Sequence, residues 1–112
     1  MVVGTGLIDF RIGACHSLKE KRGVLSRIIK RTQNTFNISI AEVGANDDLK
    51  KAKVGFSVVG NDAAYINAKI DHIMTFIDNL QMAEMVNTKF EITHFSDWMD
   101  PVDYVESKYD AV

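Results

Sequence analysis

The chain holds one cysteine, one proline and one tryptophan in 112 residues. A lone thiol cannot close an internal disulfide, so the fold must stand on its core, and a reducing compartment suits it. Metal-ligand spacing is missing too: His16, His72 and His94 are scattered, with no pair at a ligand-binding helical interval. No apolar run approaches the roughly 20 residues of a membrane-spanning helix. Residues 1–6 lack the basic start of a signal peptide. The expectation is a cytoplasmic protein with no membrane segment, no metal and no cofactor. A Gly-rich phosphate loop is also missing, because Gly4-Thr5-Gly6 is too short and runs into strand residues. Cys15-His16 supplies a nucleophile beside a base, but neighbours on an extended loop point apart and no third group orients them. The chain is therefore expected to be non-catalytic.

What remains is an ordinary composition with an uneven charge. Hydrophobic residues make up 46% of the chain, as in soluble globular domains, and the length fits one core. The formal net charge of −2 gives the whole molecule no reason to bind nucleic acid. Residues 17–36, however, hold Lys19, Lys21, Arg22, Arg27, Lys30 and Arg31 against Glu20 alone, a net of +5. Residues 97–112 are acidic, with a net of −4. A solvated helix face and a solubilising tail would account for this pattern as well as a binding surface would.

Alternation of Ile8, Phe10 and Ile12 with Leu7, Asp9 and Arg11 predicts a strand over residues 2–12. Gly4 and Gly6 fall on its apolar side, where they mark a bulge or close packing against a helix. Ser17 with Glu20 three residues on forms a capping box, so a helix starts there; Asn37 is its expected end. Its core-facing stripe runs through Leu18, Leu25, Ile28, Ile29, Thr32 and Phe36. Lys21 projects on that apolar side and needs a partner, for which Glu42 is the candidate. Gly23 sits on the polar face at a cost of about 1 kcal/mol relative to alanine.

Strands follow over residues 38–43 and 53–60, joined by the turn Gly44-Ala45-Asn46-Asp47-Asp48. A second helix, capped by Asn61 or Asp62, carries Ile66, Ile70, Ile73, Ile77 and Leu80, and a last strand covers residues 84–95. His72 is expected on its exposed face and His94 half-buried in the last strand. The order βαββαβ with right-handed crossovers gives an α+β, ferredoxin-like sandwich: a four-stranded antiparallel sheet with two helices on one face. The domain is expected over residues 1–96, and 97–112 form the acidic tail, whose Trp98, Met99, Tyr104 and Tyr109 suit docking on the open sheet face or a neighbouring subunit. On that open face Gly55, Ser57 and Val59 cannot stack bases, so RNA recognition by the sheet is disfavoured. Leu7, Ala41 and Val59 there suit a protein contact.

The strings Gly13-Ala14-Cys15-His16-Ser17-Leu18-Lys19-Glu20-Lys21-Arg22, Phe36-Asn37-Ile38-Ser39-Ile40-Ala41-Glu42-Val43-Gly44 and Val59-Gly60-Asn61-Asp62 resemble the YlxP-like bacterial family of unknown function. The likeness runs from Met1 to about Phe95, and the tail has no counterpart in it. The chain departs from the pattern at Gly23 and Lys50. The resemblance implies a small ferredoxin-like protein of the cytoplasm. Genes of the family often neighbour those for transcription and translation factors, which implies a role around RNA or ribosome maturation but no catalytic residue.

Three readings follow. In the first, the protein is an RNA- or ribosome-associated factor whose His16, Lys19, Arg22, Arg27, Lys30 and Arg31 contact phosphates. In the second, it is a homodimeric interaction module that pairs through the open sheet face or an edge strand. In the third, a small anionic metabolite binds at the start of the first helix.

Overall fold

The sheet is built outward from β1 (Val2–Arg11), which pairs with β3 (Lys51–Gly60) on one side and β4 (Glu84–His94) on the other. The computed structural model describes residues 1–13 and 15–96. Ala14 and the 97–112 segment, read above as an acidic docking tail, lie outside the described residues. β2 (Ser39–Gly44) completes the sheet, in the order β2-β3-β1-β4 with every pair antiparallel. The crossovers are α1 (Leu18–Thr35) and α2 (Ala63–Leu80). The chain has the expected ferredoxin-like βαββαβ architecture. No helix among the described residues is long and apolar enough to cross a membrane.

Strand period sets the two faces. On β1, Ile8 and Phe10 point to the helices and are fully buried, while Thr5, Leu7 and Asp9 face the other way. Gly4 lies beneath α2, where an added Cβ would stand 2.6 Å from Ile66 Cγ2 and 2.8 Å from Ile70 Cδ1. Gly6 lies directly beneath the Phe56 ring. Both glycines therefore make room for closer helix and ring packing, as the sequence implied. α2 fills the layer above with Ile66, Ile70, Ile73 and Ile77, each buried. Asp62 caps this helix by accepting from the Tyr65 N–H at 2.8 Å.

Several boundaries differ from the sequence reading. α1 stops at Thr35 with Phe36, not Asn37, as the cap. The extended backbone of Phe36 lets its ring meet Phe76 of α2 edge-on, at 5.4 Å between centroids. β1 is assigned to Arg11, although the Ile12 N–H still bonds to the Lys50 carbonyl at 2.8 Å in the same register. β3 starts at Lys51 rather than residue 53, with Ala52 buried and Lys51 exposed in continued alternation. β2 is displaced by one, to Ser39–Gly44, and carries an extra residue at Val43, between the pairs Glu42–Val54 and Gly44–Lys53. β4 is assigned to His94, and the Phe95 N–H continues the same register by bonding to the Met1 carbonyl at 2.8 Å. His94 is exposed rather than half-buried, because β4 is an edge strand with little packed against its end. His72 is exposed as expected.

Candidate nucleic-acid interface

α1 begins where Ser17 Oγ accepts from the Glu20 N–H at 3.1 Å. Glu20 Oε2 returns to the His16 N–H at 2.9 Å, one residue earlier than in a standard capping box. This fixes the first turn and holds the only acidic side chain of α1 at the helix start. His16 lies before the cap with its side chain exposed.

The helix then divides its cations. Lys21 faces the core and is fully buried. Its Nζ donates to the Ala45 carbonyl at 2.5 Å and the Asp48 carbonyl at 2.6 Å, and stands 3.5 Å from Glu42 Oε2. The expected Glu42 partner is therefore present, but two backbone carbonyls hold the ammonium more closely. Glu42 Oε2 is buried and accepts no hydrogen bond, so its contribution is the ion pair alone. The same turn lowers the Asp48 carboxyl below its ordinary range. The Lys50 N–H is the main cause, opposed by partial desolvation and reinforced by the Lys51 N–H and by the Lys51 and Lys21 charges.

Lys19, Arg22, Arg27, Lys30 and Arg31 are all exposed. At 100° per residue, Lys30 lies about 20° from Lys19 around the axis, Arg27 about 80° and Arg31 about 120°, with Arg22 about 60° to the other side. They cover half the helix circumference. None has a carboxylate within ion-pair distance among the described residues. On the sheet the pattern is reversed: Arg11 pairs with Glu84 at 3.7 Å, Lys53 with Asp9 at 3.8 Å and Lys89 with Glu91 at 3.4 Å.

Not all the predicted residues gather at one place. Lys19 and Arg27 line a cleft of about 530 Å³ beside α1, whereas Arg22 and Lys30 lie outside it. Its other walls come from Ile12, Gly13 and Cys15 before the helix, Glu20, Gly23 and Val24 on it, and Met82 after α2. Sequence reasoning missed this cleft because Ile12 and Met82 belong to distant segments; Gly23 was the local signal. Cys15 is buried and free, and His16 is exposed, so the neighbours do point apart. No group of three or more His, Cys, Asp or Glu side chains among the described residues is placed to hold a metal ion.

A second concavity, about 410 Å³, lies on the open sheet face. Its middle is an apolar row, with Ala41, Gly55 and Leu7 adjacent across β2, β3 and β1. Val43 and Val59 are exposed, Val59 at 64%. Phe56 is buried on the helix side and offers bases no platform on this face; Phe90 of β4, which also lines the concavity, is 49% exposed.

The chain matches, over residues 3–90, the family described as protein of unknown function DUF503. It is similar to the uncharacterized protein YlxP of Bacillus subtilis, at 37% identity over 75 residues, which cover 67% of this chain and 82% of that protein. Among solved structures it is similar to the de novo designed protein Foldit4, with 12% identity, a TM-score of 0.49, and coverage of 86% of this chain and all of that one. A designed protein with a ferredoxin fold, LFR1 1, gives the same identity and TM-score over 90% of this chain and 93% of its own. The two designed proteins concern the path of the chain alone.

Proposed function

This chain belongs to the DUF503 family of proteins of unknown function, and for it we propose a non-catalytic role in binding RNA, free or in a ribosomal subunit, through the outer face of α1. The observation that carries the reading is the contrast in ion pairing. Three sheet cations have carboxylates close by, and the five exposed cations of α1 have none among the described residues. Like charges one turn apart on a helix repel, at a cost of a few tenths of a kcal/mol per pair. A polyanion laid along the face converts that repulsion into attraction and releases its own counterions. Such contacts go to phosphates, so they supply affinity and orientation with little sequence readout. Lys19 in the first turn opposes the helix dipole when the protein is free, and a bound phosphate removes that conflict.

Binding of structured RNA to the full chain tests the reading. Exchange of Lys19→Ala with Arg22→Ala is expected to weaken binding by about tenfold or more, as two phosphate contacts are lost. Undiminished binding by that double variant removes α1 as the interface.

A second reading has its own observation: the open-face trough, with Leu7, Ala41, Val43 and Gly55 in its lining and the Lys89–Glu91 pair beside them, fits a homodimer that buries Leu7, Ala41 and Val43 between two sheets. Sedimentation of the full chain at high concentration separates the two. A monomer excludes the sheet-face dimer and leaves the α1 reading intact.

A further inference from the structure

We propose that the cleft beside α1 receives a single nucleotide unit, with its phosphate between Lys19 and Arg27 and its sugar and base against Ile12, Val24 and Met82. The proposal rests on the reading of α1 as a phosphate-binding helix and adds a defined pocket to it. Volume comes first: about 530 Å³ lies within the 300–1,000 Å³ range of small-ligand pockets. Chemistry comes second, because the lining is divided. Ile12, Val24 and Met82 make an apolar floor, and Lys19 and Arg27 bring two cations with no carboxylate at ion-pair distance among the described residues. Glu20 also lines the cleft, its Oε2 accepting from the His16 N–H, so the lining sets two positive charges against one negative. An amphiphilic anion fits such a lining better than a bare anion or a neutral apolar molecule.

Gly23 supplies the third argument. A glycine inside a helix lowers stability relative to alanine. Two structural reasons for keeping one are missing here. Its backbone is not at positive φ, and a Cβ built on it would meet nothing within 4 Å. Lys19, Gly23 and Arg27 follow at four-residue intervals along one stripe, and the outer two are about 12 Å apart along the axis. The bare backbone at Gly23 lies midway, where a phosphate can approach closely and both cations reach it from opposite ends. A side chain at this position would stand in that space without disturbing the fold.

That last point makes the inference testable without confusion with misfolding. The full chain and its Gly23→Gln variant are titrated with adenosine monophosphate, inorganic phosphate and a single-stranded RNA, with amide chemical shifts as the readout. Gly23→Gln is expected to melt at a higher temperature and to bind the monophosphate about tenfold or more weakly, with Lys19→Gln and Arg27→Gln losing a similar factor. The monophosphate is expected to bind more tightly than inorganic phosphate, because only it uses the apolar floor. Equal binding by Gly23→Gln and the parent overturns the site. So does inorganic phosphate binding as well as the nucleotide. RNA binding that falls with Lys30→Gln and Arg31→Gln but not with Gly23→Gln removes the cleft and keeps the α1 reading. Monophosphate binding in the cleft without any RNA binding keeps the site and removes the RNA reading.

Discussion

α1 and α2 are both 18 residues long and pack against the same sheet, yet they are composed for different tasks. α2 buries Ile66, Ile70, Ile73 and Ile77, and its exposed side mixes Asp71 and Asp78 with the partly exposed Lys69. α1 buries Lys21, Leu25, Ile28 and Thr32, so two of its four core positions are polar. Thr32 is satisfied internally, its Oγ1 donating to the Ile28 carbonyl at 2.7 Å. Lys21 is satisfied only by reaching the β2–β3 turn. Outside, α1 shows cations and one acid. Burial of apolar area explains α2 almost completely. α1 gives up part of that area to anchor a turn, and its surface presents five cations with no carboxylate at ion-pair distance among the described residues.

The largest effect expected of that contrast lies in α2. Ile70→Ala removes a fully buried side chain seated on Gly4 and is expected to cost about 3–4 kcal/mol, read from urea denaturation. A loss below about 1 kcal/mol would mean that α2 is not the main core helix. Next comes Lys21→Met. It leaves Glu42 Oε2 buried without its cation and strips two carbonyls of their donor, for an expected loss of about 2–4 kcal/mol. Lys19→Met, two residues away on the exposed side, is expected to stay within about 0.5 kcal/mol. Equal losses at the two lysines would erase the distinction between the faces of α1.

The smallest effect is a pH dependence at the turn that Lys21 holds. The Asp48 carboxyl is lowered from 3.8 in the folded state, chiefly by the Lys50 N–H. A lowered folded value means that ionised Asp48 favours the fold. Its contribution is fully present above the unfolded value and fades as pH falls through the lower folded one. Asp48→Asn is therefore expected to flatten the acid limb of stability against pH, below about pH 4, without changing its slope near neutrality. An unchanged acid limb would remove Asp48 as a contributor.

Periodic features were legible in the sequence, and features made by convergence of segments were not. The isoleucines of α2 and the alternation of Val54, Phe56 and Val58 repeat at helix and strand periods, so elements, order and fold class followed directly. The Lys21–Glu42 pair was also readable, since a lysine on an apolar stripe needs a carboxylate. Its two carbonyl partners were not, because they depend on Ala45 adopting φ 57 and on the extra residue at Val43, neither announced by a glycine at the strained position. His94 was misplaced because strand alternation says which face a residue takes, not whether anything covers that face. The six residues of the candidate site were found from composition and motif, but only the folded chain separates Lys19 and Arg27, which share the cleft with Met82, from His16, Arg22, Lys30 and Arg31, which do not.

The salt dependence of RNA affinity tests the central claim most directly. The logarithm of the binding constant for single-stranded RNA is plotted against the logarithm of salt concentration, for the parent and for Lys30→Gln with Arg31→Gln. The account predicts a negative slope of about 3 for the parent, and a slope smaller in magnitude by about 1 to 2 for the double variant. A slope near zero, or one that the double variant leaves unchanged, would contradict it.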